Sequence, residues 1–486
     1  MSTEPLVDRI ADPPAARTVR PGLVLGMLCF IYVLNFLDRQ LLSILAKPIQ
    51  DGLQISDGQL GMLTGFYFAL FYCFIAIPVG WLADRTNRMR VLSIACALWS
   101  VATAACGMAN NYAQLALARM AVGVGEAGGV PPSYAIISDY FPRERRGAAM
   151  AIFNLGPPLG SALGVAFGAS LAAAFDWRIP FYVIGAVGVA AAVAVYILIP
   201  EPRRGGHDAG TGAATAPAAP GGFVATIARF FSNPLLLTAA IASGAANFIT
   251  YGMSNFATLF LMREKGMQLG EVAIWYALVV GVCMSAGIYV SGQLIDRFGA
   301  RSKAAYATIP AISLLLALPF FLGFVWAPHW PLALALLCGP MFLNSFFLSA
   351  TVTFVQSEVH PSQRVISGAL LLLVMNFIGL GLGPTYVGMV SDFFQPTHGA
   401  HALQTAFFAL APMYLIAALL FFELARRIKR AKRSQEKVCD ELQVALDHSL
   451  RWRVPLRMLD PIGRWNDGKS ASCGHARRNF AWRARR

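Results

Sequence analysis

Charged residues are scarce in this chain of 486 residues, at 13% of the total, while hydrophobic residues make up 57%. A soluble domain usually carries about 25% charged residues because its surface must interact with water. The shortage excludes a string of ordinary soluble domains. It predicts a protein that is surrounded largely by lipid.

Several reactive groupings are absent as well. No apolar strand followed by a G-x-x-x-x-G-K-[ST] phosphate-binding loop is present, because the one match to that pattern, at residues 463–470, follows a Pro- and Arg-containing stretch of the basic tail; this argues against an ATP-driven pump. Its eight cysteines and seven histidines show no metal-ligand spacing. A membrane enzyme, such as a lipid acyltransferase, would need a nucleophile and a base at one membrane face, and no such pair is found. We therefore expect no enzyme activity, no cofactor and no metal.

Twelve apolar runs are present instead, each long enough to cross about 30 Å of hydrocarbon as a helix. They lie at residues 22–44, 58–83, 90–109, 112–136, 146–173, 179–199, 234–262, 270–295, 303–326, 331–357, 364–391 and 402–424. The layout predicts an all-α integral membrane protein with twelve transmembrane helices in two pseudo-symmetric six-helix bundles.

The segments between and beside these runs complete the predicted domain organisation. The first residues lack the apolar core of a signal peptide, and the stretch after the sixth run is rich in Gly, Ala, Pro and Thr, as is typical of a flexible linker. The predicted domains are an N-terminal segment at 1–21, an N-terminal bundle at 22–200, a linker at 201–233, a C-terminal bundle at 234–425 and a basic tail at 426–486.

Most of the net charge of +14 lies in that tail, which holds 17 Lys/Arg and 6 Asp/Glu, a net of +11. Residues 438–450 have the apolar spacing of a short amphipathic helix. We expect the rest to lack fixed structure or to contact anionic lipid loosely. Nucleic-acid binding is not expected, because the cationic stretch adjoins a membrane anchor.

The remaining cations predict the orientation. The even-numbered loops and the N-terminal segment hold 16 Lys/Arg, against 4 in the odd-numbered loops. Cytoplasmic loops carry the excess of Lys and Arg, so both termini are expected in the cytoplasm. The expected location is the inner, or plasma, membrane, which the protein crosses many times.

The two halves also repeat a loop motif. The sequence reads GWLADRTNR at 80–88 and GQLIDRFGAR at 292–301, so Asp84 and Asp296 occupy equivalent places in each half. An internal repeat in the same orientation is typical of rocking-bundle transporters. The motif resembles the signature loop of the major facilitator superfamily.

Further motifs extend the resemblance over about residues 22–425. RMAVGVGEA at 119–127, NLGPPLGSALG at 154–164 and DWRIPF at 176–181 are similar to the superfamily's motifs in spans four, five and six. NFLDR at 35–39, the GEA within the span-four motif and DYFP at 139–142 resemble the spinster branch. That resemblance implies proton-linked movement of lysolipids or sphingoid phosphates.

The resemblance also implies a cytoplasmic latch that holds the inner ends of the bundles together when the outer side is open. A wet salt bridge that contributes little energy is the alternative interpretation of these groups. The latch residues are Gly80, Asp84, Arg85, Arg88, Asp139, Asp296 and Arg297.

Glycines recur every four residues in span five, at Gly156, Gly160, Gly164 and Gly168. Such a stripe lets a neighbouring helix approach closely. Simple helix packing is one interpretation of the stripe. A sliding surface between the bundles would also require a helix face without side chains.

Four ionisable residues lie at membrane depth, where each costs about 2.5–3.5 kcal/mol unless it has a partner. They are Asp38 and Arg39 in span one and Arg119 and Glu126 in span four. We expect Asp38 to pair with Arg119, and Arg39 to approach Glu126 or the cavity. Asp38 and Glu126 are the candidate proton carriers, and Arg39 and Arg119 are their partners or bind the substrate head group. Two neutral ion pairs that only hold helices together are the alternative.

Neutral polar residues complete the predicted substrate cavity. For any single one of them, a hydrogen bond between helices is an equally good explanation. The candidates are Tyr32, Asn35, Asn154, Asn247, Tyr251, Asn255, Asn344, Thr351 and Asn376.

The sequence thus predicts a proton-coupled secondary transporter that works by alternating access and moves an amphipathic lysolipid or sphingoid-phosphate-like solute. A carrier or exporter of a small organic anion or drug would fit the same residues, and a non-transporting membrane sensor or scaffold is a third hypothesis. The expected partners are the substrate, protons and membrane lipid, with the protein acting as a monomer.

Overall fold

The computed structural model of the protein describes residues 19–202, 222–299, 301–360 and 363–452. The predictions for residues 1–18, for most of the linker and for the tail beyond 452 lie outside the described residues.

The N-terminal half is built from ten α-helices and one π-helical turn. In chain order they are α1 (Pro21–Ile44), α2 (Ala46–Leu53), α3 (Asp57–Gly61), the π turn Met62–Phe66, α4 (Tyr67–Arg85), α5 (Arg88–Met108), α6 (Tyr112–Glu126), α7 (Val130–Tyr140), α8 (Arg143–Phe153), α9 (Gly156–Ala174) and α10 (Ile179–Leu198).

The linker and the C-terminal half follow the same plan. They contain α11 (Gly222–Ser232), α12 (Pro234–Arg263), α13 (Leu269–Glu271), the π turn Val272–Tyr276, α14 (Ala277–Gly299), α15 (Ala305–Trp326), α16 (Trp330–Leu343), α17 (Phe346–Glu358), α18 (Arg364–Asn376), the π turn Phe377–Leu382, α19 (Gly383–His398), a short 3-10 turn Gly399–His401 and α20 (Ala402–Trp452).

Within the described residues, ten helical stretches are long and apolar enough to cross a membrane. The last of them, Ile366–Ser434, contains both the eleventh and the twelfth predicted spans. The fourth predicted span is broken into α6, of 15 residues, and α7, of 11 residues, and neither is long enough to count among the ten. With these two adjustments the helices follow the predicted layout of twelve.

The internal repeat is visible in the backbone. The π turn Met62–Phe66 in the second span recurs as Val272–Tyr276 in the eighth. A π turn inserts one extra residue into a helix and alters its path locally. The same insertion at matching places indicates that the two halves share one design.

Each half has its own apolar core. One cluster of buried side chains centres on Leu28, Trp99 and Phe181 in the N-terminal half. The other centres on Phe260, Phe321 and Phe407 in the C-terminal half. Many other large apolar side chains are exposed on the outside, among them Leu117 and Leu419, as expected for a surface that faces lipid.

The glycine stripe of α9 packs inside the N-terminal half. A Cβ at Gly160 would collide with the carbonyl oxygen of Val33, and one at Gly164 would lie 2.8 Å from the carbonyl oxygen of Leu37. Both partners are in α1. The stripe is therefore a helix-packing surface within one bundle, and the suggestion that it forms a sliding surface between bundles is wrong for this structure.

We expect Gly160→Ala to destabilise the protein by about 1–3 kcal/mol, because the added methyl meets backbone atoms that cannot move aside cheaply. The measurement is the thermal unfolding midpoint of the purified protein. Gly147→Ala is the matched control, since a Cβ there meets nothing within 4 Å. Equal midpoints for the two variants would contradict this account of the packing.

Two helices extend into the segments predicted between and after the bundles. Helix α11 occupies the end of the predicted linker at 201–233, beyond its Gly-, Ala- and Pro-rich stretch, and its Phe230 is buried in the C-terminal core. Helix α20 continues to Trp452, so the tail begins as a helix rather than as unstructured chain. Apolar spacing in residues 223–231 and the mixture of acids and bases in the sequence from Glu436 to Asp447 favour these helices.

The two halves pack against each other mainly at one side of the molecule. We call this the distal side, where α1 ends and α3 begins, and the opposite side, where α1 begins at Pro21, the proximal side. The distal contacts join α3 to α19 and α2 to α12. On the proximal side, a Cβ at Gly80 or Gly292 would meet nothing within 4 Å. The structure is thus closed distally.

Candidate functional site

The four buried charges form one cluster inside the N-terminal half. Asp38 and Arg39 are consecutive on α1, so their side chains leave the helix about 100° apart. Arg119 and Glu126 are two turns apart on α6 and share a face. Each of the two charged residues of α1 therefore lies close to a different charged residue of α6.

The predicted pairing is present. The Nε of Arg39 donates to Glu126 Oε2 at 2.7 Å. The Nη1 of Arg119 lies 3.5 Å from Asp38 Oδ2. The Arg39 side chain is 10% exposed, whereas that of Glu126 is fully buried. With both carboxylates ionised the cluster has no net charge, and Arg39 is its accessible member.

The cluster is also incompletely satisfied. The hydroxyl of Thr103, on α5, donates to Asp38 Oδ1 at 2.9 Å. In the described structure, buried polar atoms without a hydrogen-bond partner include Asp38 Oδ2, Glu126 Oε1 and the Nε and Nη1 of Arg119. Buried polar groups are usually paired, and an unpaired one often marks a functional position. These atoms keep a hydrogen-bonding capacity that the described side chains do not use.

Aromatic rings enclose the arginines. The Arg39 guanidinium lies 4.9 Å from the ring centre of Phe36, 5.0 Å from that of Phe68 and 4.8 Å from that of Tyr72. Arg119 also lies over Phe68, at 5.2 Å. Cation–π contacts of this kind are strongest away from water. The sequence reading missed Phe68, Tyr72 and Thr103, since aromatic and hydroxyl residues are ordinary in apolar helices.

Tyrosine hydroxyls gather beside Arg39. Tyr32 and Tyr251, two of the predicted cavity residues, both interact with it, and Tyr72 does so as well. Tyr251 belongs to α12, in the other half of the molecule. The electrostatic surroundings of Arg39 therefore include a residue of the C-terminal half, and Tyr251 also packs against the N-terminal core.

Four more cavity candidates lie beside this region or form an amide pair. Asn154 is exposed and accepts a hydrogen bond from the Tyr134 hydroxyl at 2.8 Å, and Asn35 is buried with an unpartnered Oδ1. Asn247 donates to the carbonyl oxygen of Met375 at 3.2 Å and lies 3.5 Å from Asn376 Oδ1.

Three cavity candidates have other contacts. Asn255 accepts from the Ser43 hydroxyl at 2.6 Å, which joins the two halves at the distal side. Asn344 donates to the Tyr414 hydroxyl at 3.1 Å and is 1% exposed. Thr351 is equally buried. In this structure Asn344 and Thr351 lie within the C-terminal bundle rather than at a cavity, because helical spacing groups residues on a face without indicating what that face contacts.

Comparison with known proteins adds the decisive observation. A family model described as the Major Facilitator Superfamily matches residues 28–384. The chain belongs to the major facilitator superfamily.

Individual relatives narrow the branch. An MFS-type efflux pump of Mycolicibacterium smegmatis is 31% identical over 85% of this chain and 94% of its own length. The sphingosine-1-phosphate transporter SPNS2 of Danio rerio is 26% identical over 85% of this chain and 86% of its own. A crystal structure of a bacterial homolog to the human lysosomal transporter Spinster, in an inward-facing and unoccupied conformation, has a TM-score of 0.77 at 28% identity and covers 84% of this chain and 98% of the homolog. These relatives place the chain in the spinster branch and are transporters rather than enzymes.

The superfamily's signature loops lie at the proximal side. Arg88 pairs with Asp139 at 2.5 Å, Arg85 lies 4.2 Å over the Trp81 ring, and Asp296 and Arg297 are exposed. The side chain of Asp84 is outside the described part of the structure. A latch that holds the proximal ends together is expected when the distal side is open, so this distally closed structure leaves that prediction untested.

The distal side instead carries a polar network between the bundles. Arg263, at the end of α12, makes a bidentate ion pair with Asp57, with both N–O distances 2.8 Å. Asp57 also accepts from the Ser391 hydroxyl at 2.6 Å. Asp392 accepts from the Ser56 hydroxyl at 2.6 Å and from the Gly58 amide at 2.9 Å. We call these six residues the distal network.

Small residues let the bundles meet beside this network. A Cβ at Gly61 would touch the carbonyl of Pro384, and one at Gly388 would collide with the carbonyl of Asp57. The distal network was not predicted from the sequence. Its only signals were one Arg and two Asp at span ends on the side that is poor in cations.

Proposed function

We propose that the chain is a proton-coupled transporter that works by alternating access and moves an amphipathic anion of the lysolipid or sphingoid-phosphate type. The observation that carries the proposal is the neutral cluster of two arginines and two carboxylates buried inside a membrane bundle. Charges at such depth are expensive and usually functional. Asp38 and Glu126 are the proposed proton carriers.

The charge balance of the cluster suggests how coupling works. With both carboxylates ionised, the cluster sums to zero. Binding one proton leaves a net charge of +1 beside Arg39, the accessible member, which attracts an anionic head group. Proton and anion binding then favour each other, and linkage requires that this effect be reciprocal.

The surroundings of Arg39 favour a head group with an apolar tail. Its guanidinium has forked donors that suit a phosphate or carboxylate, and Tyr32, Tyr72 and Tyr251 add hydroxyls nearby. Phe36 and Phe68 supply apolar surface in the same place. The likeness to a sphingosine-1-phosphate transporter supports this substrate class.

The proposed orientation makes the structure inward-facing. In this proposal the protein lies in the plasma membrane with both chain termini in the cytoplasm, so the proximal side is the inner one. The distal network then closes the outer side. In this scheme a single chain suffices for the whole cycle, so we propose a monomer.

The test is flux in proteoliposomes with an imposed pH gradient. We expect a lysophospholipid or a sphingoid phosphate to be moved faster with the gradient than without it, and to raise the thermal unfolding midpoint of the purified protein. Empty liposomes are the control. A panel in which no solute moves would overturn the transport proposal and leave a sensor or scaffold.

A small organic anion or drug is the second candidate substrate. The 31% identity to an efflux pump supports it, and Arg39 would bind a compact anion equally well. The same stabilisation panel distinguishes the two, because a clear organic-anion response without a lipid response would replace the lysolipid proposal.

A further inference from the structure

A groove lies at the proximal end of α15 and α20, away from the charge cluster. It has a volume of about 460 Å³ and is lined by Thr308 of α15 and by Phe422, Ala425, Arg426, Lys429, Arg430 and Arg433 of α20. The lining residues of α20 recur at intervals of three and four, so they form one stripe along the helix. Four cations therefore face a single groove.

The cations that line this groove outnumber the carboxylates beside them. Arg426 lies 3.4 Å from Glu423. Within the described part of the chain, Lys429, Arg430 and Arg433 have no carboxylate within ion-pair distance. Like charges three and four residues apart destabilise a helix, yet α20 continues for about five turns beyond Arg433. An anion bound in the groove would relieve the repulsion.

The surroundings indicate what kind of anion fits. Just beyond the groove toward the membrane, the exposed residues of α20 and α15 are apolar, among them Leu415, Leu419, Ile312 and Leu316. The cations begin at Arg426, two residues after the predicted span ends. A basic site that continues into an apolar surface matches a phosphate head group with acyl chains below it.

We propose that the groove between α15 and α20 is a binding site for an anionic phospholipid of the proximal leaflet, with Lys429, Arg430 and Arg433 holding the phosphate. This site is separate from the proposed transport site, so it does not depend on the identity of the transported solute. It would fix the start of the long α20 extension at the membrane surface.

The experiment is a titration of phosphatidylglycerol into the full-length, detergent-solubilised protein, with bound lipid counted by native mass spectrometry. We expect Lys429→Gln/Arg430→Gln to weaken binding about 30-fold, since each cation near an anionic lipid contributes about fivefold. Lys432→Gln/Lys437→Gln is the matched control, because it removes two cations of the same helix that do not line the groove. It should bind as the parent does.

A second variant tests the shape of the site. Thr308→Trp keeps every charge and fills the groove, so it should weaken binding as strongly as the charge variant while leaving the unfolding midpoint of the lipid-free protein unchanged. Equal losses in the groove and control variants, or full binding by Thr308→Trp, would overturn the proposal. So would equally tight binding of phosphatidylcholine or of inorganic phosphate alone.

Discussion

Replacing Asp38 by asparagine is expected to reduce pH-gradient-driven flux to the level of empty liposomes. Asparagine keeps the size of the side chain and can still accept from Thr103, but it cannot gain or lose a proton at neutral pH. Solute binding should persist, because Arg39 and its aromatic surroundings are untouched. The measurement is flux with and without the gradient, beside solute-induced thermal stabilisation.

The same substitution leaves Arg119 buried without its partner, which costs about 3–5 kcal/mol. A loss of flux could then reflect a loss of folded protein. The double variant Asp38→Asn/Arg119→Gln removes both charges and should regain most of the unfolding midpoint while still lacking gradient-driven flux. Asp51→Asn is the matched control, since Asp51 is 63% exposed and pairs with Lys47 outside the cluster.

The result separates the two interpretations of the cluster. If the ion pairs only hold helices together, the double variant should transport as the parent does once its stability returns. If Asp38 carries protons, the double variant should recover its stability but not its gradient-driven flux. Gradient-driven flux at the parent's rate in the double variant would contradict the proposed role of Asp38.

The charge cluster could be predicted because both of its determinants are local. Charged residues are rare in apolar spans, so Asp38, Arg39, Arg119 and Glu126 stand out individually. Helix geometry then fixes which of them can share a partner. The all-helical fold followed for a similar reason, since long apolar runs separated by short turns have few alternatives in lipid.

The distal network could not be predicted in this way. Its members lie at span ends, where polar residues are ordinary, and Asp57 and Arg263 are 206 residues apart. Which end residues meet depends on how the two bundles pack. The same limit explains Asn344: its helical spacing from Thr351 does not indicate what it contacts, and the tertiary structure shows that it donates to the Tyr414 hydroxyl.

Replacing Arg263 by glutamine is expected to shift the protein toward a distally open conformation by about 30-fold, or roughly 2 kcal/mol. Asp57 is 5% exposed and would lose both bonds of its bidentate pair while keeping those from Ser391 and Gln50. An underpaired carboxylate between the bundles favours their separation, because separation lets water reach it.

The measurement is the distance between spin labels at Gln54 and Gln395, one in each half on the distal side, in a background without other reactive cysteines. Arg263→Gln should add a population at longer distance. Lys47→Gln, with the same pair of labels, is the control, since Lys47 is a distal cation whose partner Asp51 lies in its own half. Distance distributions that match in the two variants would contradict a gating role for the distal network. A longer distance in Arg263→Gln alone would mean that the distal closure depends on this ion pair. The small residues at Gly61 and Gly388 would then allow close packing without being sufficient to hold it.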